Sequence, residues 1–84
     1  MNESNDAALK TLLLDALEQE VVGEPNTPAL VGRVRLLLKG QLYQAGIRNP
    51  TIDIQQSGSA IHVRIRYQAG PTRVRTIQLT SSIV

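Results

Sequence analysis

The chain changes its hydrophobic period once. Through the first half, apolar residues recur every three or four positions; after Asn49-Pro50 they alternate. Leu9, Leu12, Leu13, Ala16, Leu17 and Val21 make one helical stripe. They predict a helix over residues 6–22, with Ser4 or Asn5 as its cap and Asp6 at the positive end of its dipole. Leu14 falls off this stripe and is left either exposed or facing a partner. Gly23-Glu24-Pro25-Asn26 breaks the helix. Thr27 then caps a second one over residues 28–45, with Pro28 at the first helical position, where a missing N–H costs nothing, and Gly46 as a left-handed stop. Leu30, Val34, Leu37, Leu38, Leu42 and Ala45 form its expected buried face. Gly32 and Gly40 share one side of this helix, around Leu36. A helix-interior Gly costs about 0.5–1 kcal/mol relative to Ala, so the pair reads either as close approach by another backbone or as tolerated surface positions.

The alternating half predicts three strands, over residues 51–56, 60–68 and 72–79. Ile52 and Ile54 share a face of the first, and Ser57-Gly58-Ser59 is a tight turn. In the second, Ile61, Val63, Ile65 and Tyr67 alternate with His62, Arg64, Arg66 and Gln68. Ala69-Gly70-Pro71 turns the chain into the third. There Val74 is expected on the buried face opposite Arg73 and Arg75, which places Ile77 and Leu79 on the arginine side. Either a bulge near Arg75-Thr76 resets the register, or the strand buries different faces against different neighbours. These elements make a single domain over residues 1–84 with an α+β fold. Two N-terminal helices pack on one face of a small three-stranded antiparallel sheet, in the order ααβββ, with an open edge. The last strand contains neither Pro nor Lys and runs into the uncharged Thr80-Ser81-Ser82-Ile83-Val84. Such an edge is suited to extension by strands of another chain.

Composition narrows the function. Eighty-four residues, 42% hydrophobic and 19% charged, suffice for one small core. Tyr43 and Tyr67 are the only aromatic residues, so that core is aliphatic. The absence of Cys removes disulfides and thiolate chemistry. No apolar run approaches the ~20 residues of a membrane span, and the acidic start lacks the basic region of a signal peptide. The expected location is cytoplasmic unless the chain enters an assembly. The formal charge of +2 hides a division. Residues 1–24 set six carboxylates against Lys10, whereas from residue 25 onward eight cations face only Asp53. Complementary faces follow from that asymmetry more readily than a field of one sign.

Catalytic chemistry is not expected. His62 lies among arginines, with no carboxylate to orient it, and reads as an exposed strand residue. Asp53 has no acidic neighbour, and Gly58 and Gly70 belong to turns rather than to a phosphate loop. Ser57, Ser59, Ser81 and Ser82 have no base nearby. No metal, cofactor or small-molecule substrate is expected. Arg64, Arg66, Arg73 and Arg75 would all project from one sheet face if the second and third strands formed a regular hairpin. That face would bind phosphate, dock onto an acidic protein surface, or simply be solvated. No aromatic residues are interleaved for base stacking, which argues against nucleic acid.

Glu24-Pro25-Asn26-Thr27-Pro28-Ala29-Leu30, then a long helix, then a hairpin containing Ile61-His62-Val63-Arg64-Ile65-Arg66-Tyr67, resembles a known family over roughly residues 20–80. It is similar to the short baseplate wedge proteins, or sheath initiators, of contractile phage tails and their pyocin and type VI secretion relatives. Where that family carries a Glu-Pro-Arg motif after its long helix, this chain has Gly46-Ile47-Arg48-Asn49-Pro50, and only Arg48 matches the motif's arginine. The chain is also short at its N-terminal side for the family. The resemblance implies a structural virion component of the tail baseplate, whose sheet accepts strands from the first ring of sheath subunits. Sheath, tube or wedge chains are the partners it implies. Arg48, Arg64, Arg66, Arg73, Arg75, Ile77 and Leu79 are the candidate partner-binding residues. The alternatives are a small nucleic-acid-binding module using the hairpin arginines, and a homo-oligomeric adaptor that sets acidic helix one against a neighbour's basic sheet.

Overall fold

The change of period is a change of layer. Helices α1 (Asn2–Val21) and α2 (Pro28–Gln44) cover one face of a sheet made of β1 (Thr51–Ser57), β2 (Ala60–Gln68) and β3 (Val74–Ser82). The sheet order is β1-β2-β3, and both pairings are antiparallel. This computed structural model describes residues 2–83, with side chains from Ala7 onward. The two helices pack on each other, α1 on β3 and α2 on β1, so that central β2 lies beneath the seam.

In α1, Leu13, Leu17 and Val21 are fully buried. The helix begins at Asn2, earlier than the expected Asp6, and therefore runs through Ser4 and Asn5 instead of being capped by them. Leu12 and Leu14 exchange their expected places. Leu14 is half-buried against the core, while Leu12 is 48% exposed. The cause is the centre of the buried arc, which lies at Leu17. At 3.6 residues per turn Leu14 is about 60° from that centre and Leu12 about 140°.

Pro28 opens α2 as expected, but Thr27 makes no side-chain cap. Its carbonyl instead accepts the Leu30 amide at 3.0 Å and the Gln56 Nε2 at 3.0 Å. Leu30, Val34, Leu38 and Leu42 are buried and Leu37 is half-buried, whereas Ala45, the C-cap residue, is exposed rather than part of the core. Gly46 takes φ +89°, which frees two amides to close the helix. The Gly46 N–H donates to Tyr43 O at 3.0 Å and the Ile47 N–H to Leu42 O at 2.9 Å. That is a Schellman stop, and Ile47 packs on the core in its usual apolar contact. A Cβ at Gly32 or Gly40 would meet no heavy atom within 4 Å, so neither glycine marks a close approach among the described residues.

Gly58, at φ +58°, is the first residue of a two-residue turn joining β1 to β2, the position where a hairpin of this kind needs a positive φ. The alternation of β2 holds throughout, with Ile61, Val63, Ile65 and Tyr67 buried. β3 corrects the expectation drawn for it. It begins at Val74, not Thr72, and pairs without interruption from Gln68↔Val74 to Ala60↔Ser82. There is no bulge and no split burial. Arg75, Ile77, Leu79, Ser81 and Ile83 face the helices, while Val74 faces away and is 64% exposed. Strict alternation must put either Val74 or the larger set on the core side, and burying Ile77, Leu79 and Ile83 removes far more apolar area from water.

Leu17→Ala should lower stability by about 2–5 kcal/mol in urea unfolding, because it empties the centre of the core. Leu36→Ala, at a position 73% exposed, should change it by less than about 0.5 kcal/mol.

Candidate functional site

Which backbone groups a strand turns outward is fixed by the parity of its ladder. In an antiparallel pair, alternate residues exchange both hydrogen bonds with the neighbour, and those between them point the other way. The β2–β3 ladder is closed at its two ends by Ala69 N–H to Arg73 O, 2.9 Å, and Ile83 N–H to Ser59 O, 2.7 Å. These bonds set the odd-numbered residues of β3 toward β2. Val74, Thr76, Gln78, Thr80 and Ser82 therefore direct N–H and C=O to the open side. Among the described residues, no backbone hydrogen bond from outside the sheet reaches Val74, Thr76, Gln78 or Thr80.

The β1 edge differs. With the odd residues of β2 committed to β3, its even residues bond β1, and Ile52, Ile54 and Gln56 turn outward there. The Arg35 guanidinium Nη1 of α2 donates to the Ile52 carbonyl. The Gln56 amide reaches Asn26 Oδ1 and Thr27 O, and Asn26 Nδ2 donates to Gly58 O at 2.8 Å. Arg35 of α2 and the two residues before that helix thus hold the Ile52 carbonyl, the Gln56 side chain and the turn at Gly58. Sequence reasoning missed these residues, since nothing local distinguishes Arg35 from the other exposed cations until α2 is docked on the sheet.

The arginines do not form one stripe. Arg64 and Arg66 alternate outward on β2, Arg73 lies exposed in the turn before β3, and Arg75 is half-buried on the helix side opposite Tyr67. On the outer face Asp53 stands across from Arg64 in register, but its carboxylate lies 3.8 Å from Arg66. A shallow depression beside Arg64 is lined by Gln55, His62, Gln78 and Thr80. His62 Nδ1 is 3.2 Å from Thr80 Oγ1, and His62 is an exposed strand residue as expected. Arg48 sits over the exposed Tyr43 ring, 5.6 Å from its centroid, and is accessible. Ile77 and Leu79 are the clearest displacement. They are 6% and 2% exposed, and ladder parity turns their backbone groups to β2, so they serve this chain's own core.

Some of the acidic half is satisfied internally. Arg33 bridges Glu24 at 2.7 Å and Glu20 at 3.1 Å, tying the end of α1 and its loop to α2. The hydrogen bond that Arg33 donates to Glu24, aided by the charges of both carboxylates, raises the Arg33 pKa above its ordinary value. Among the described residues no group of three or more His, Cys, Asp or Glu is placed to hold a metal, and no helix is long and apolar enough to cross a membrane. No protein-family model, no curated protein and no solved structure matches the chain.

With only Arg64 and Arg66 together on the outer face, oligonucleotide binding should show a salt slope (log K against log salt) no steeper than about −2, from roughly 0.9 per phosphate contact. A slope near −4 in a fluorescence titration would instead require the four-arginine face that the register denies.

Proposed function

We propose that this chain is a non-enzymatic assembly protein that joins a neighbouring chain by strand addition at the β3 edge. One observation carries the reading. Consecutive outward positions at Thr76, Gln78 and Thr80 offer backbone donors and acceptors, while on the β1 edge Arg35 engages the outward Ile52 carbonyl and the Gln56 side chain is held by Asn26 and Thr27. Strand addition draws its affinity from main-chain hydrogen bonds and needs no cofactor or titrating group. The baseplate wedge or sheath-initiator resemblance supplies a setting in which such an edge is used. On this reading the partner is a sheath, tube or wedge subunit of a contractile tail, and the chain's place is the virion baseplate. Arg48 and Arg64 remain exposed to steer that encounter, while the edge supplies the bonding.

The test is co-expression with the sheath, tube and wedge subunits encoded in the same genome, followed by size exclusion. Gln78→Pro removes an outward N–H that the chain's own ladder does not use. It should weaken the complex at least tenfold while leaving helical circular dichroism intact. Ile77→Pro removes an N–H that β2 needs and should unfold the sheet. Arg64→Ala should alter complex formation less than about threefold at physiological salt. A genome without such subunits, or a complex indifferent to Gln78→Pro, would overturn the proposal.

A further inference from the structure

Resting on that reading of the β3 edge, we infer that its occupant is a single extended strand with no helix of its own above it, apolar at the positions facing α1, and therefore not a second copy of this chain. The inference comes from a mismatch of widths. Packed helices keep their axes about 8–10 Å apart, whereas neighbouring strands lie about 4.8 Å apart. Here α1 rests on β3 and α2 on β1, with one strand between, so two strand spacings match one helix spacing. The helical layer is full.

A second copy pairing its β3 with this one would bring its own α1 to within about 5 Å of the first, little more than half of what two helices need. The open edge looks suited to self-pairing, since Thr76, Gln78 and Thr80 are uncharged. It lacks the room above. A bare strand fits, because α1 overhangs the edge from one side only.

The overhang has a defined chemistry. The Glu20 carboxylate reaches Arg33, which marks the α2 flank of α1. Around the helix, Leu17 lies about 60° from Glu20 and Leu14 about 60° further on, so Leu14 occupies the opposite flank, above the open edge. It is half-buried against the core, and this angular position sets its exposed part on the side of the vacant strand position. The inward side chains of β3, the strand on which α1 packs, include Ile77 and Leu79. An incoming strand therefore meets apolar side chains at its inward positions, and Thr76, Gln78 and Thr80 at its outward ones. The specificity is a period-two pattern, apolar in and polar out.

The full chain is examined alone by analytical ultracentrifugation, and then with two fluorescent nine-residue peptides. One alternates Val and Thr between terminal lysines; the other has the same composition in blocks. The expected result is a monomer that binds the alternating peptide at least tenfold more tightly than the blocked one. Gln78→Pro should abolish that binding. Leu14→Lys should reduce the preference for alternation at least fivefold, with circular dichroism unchanged. A dimer that Gln78→Pro dissolves would overturn this inference and leave strand addition at β3 standing. Equal binding of the two peptides would also overturn it. No binding of the alternating peptide at millimolar concentration, or binding insensitive to Gln78→Pro, would overturn the β3 edge reading itself.

Discussion

A helix needs about twice the lateral room of a strand, and the architecture of this chain follows from that inequality. Two helices seated over the outer strands of a three-stranded sheet complete one face, yet they leave both strand edges in reach of solvent. Each edge has a different fate. At β1 the guanidinium of Arg35 ties the Ile52 carbonyl to α2, and the side-chain amide of Gln56 bonds Asn26 and Thr27 just before that helix. At β3, among the described residues, no backbone hydrogen bond from outside the sheet reaches the outward positions Thr76, Gln78 and Thr80.

The core is equal to this task without being large. Apart from Tyr67 its hydrophobic side chains are all aliphatic, and its layers meet mainly through Leu on the helices and Ile or Val on the strands, with Val21 and Val34 on the helices and Leu79 on β3 as the exceptions. Side chains of that shape tolerate only small errors of register, because a slip by one residue would expose Ile61, Val63 and Ile65 together. The polar links at Asn26, Thr27 and Gln56 add a fixed origin for the hairpin. They join the segment before α2 to the turn at Gly58, which gives the Glu24–Pro28 stretch a structural task within this chain.

Much of the fold was legible because its elements carry unambiguous periods. Both helices, the tight turn at Gly58, the stop at Gly46 and the alternation of β2 follow from local chemistry alone. β3 was harder, since Val74 and Ile77 demand opposite faces and the strand can satisfy only one of them. That conflict is settled by area buried against α1, a quantity no short window contains. The same limit applies at the site. An edge strand free of Pro and Lys, running into uncharged residues, was visible in the sequence, but the assignment of four arginines to a shared face depended on placing β3 correctly. Ile77 and Leu79 moved into the core for that reason. Arg35 became informative only once its helix was laid beside β1.

The hydrogen bond from the Gly23 amide to the Ile83 carbonyl, at 3.0 Å, joins the end of the earliest helix to the end of the latest strand. α1 finds its place on the sheet through β3, the last of the five described elements in chain order. Most of its apolar stripe thus has no sheet to bury against while the ribosome is still making the chain. Folding waits for residues 74–83 to clear the exit tunnel, and until then a nascent chaperone has an exposed leucine ridge to hold.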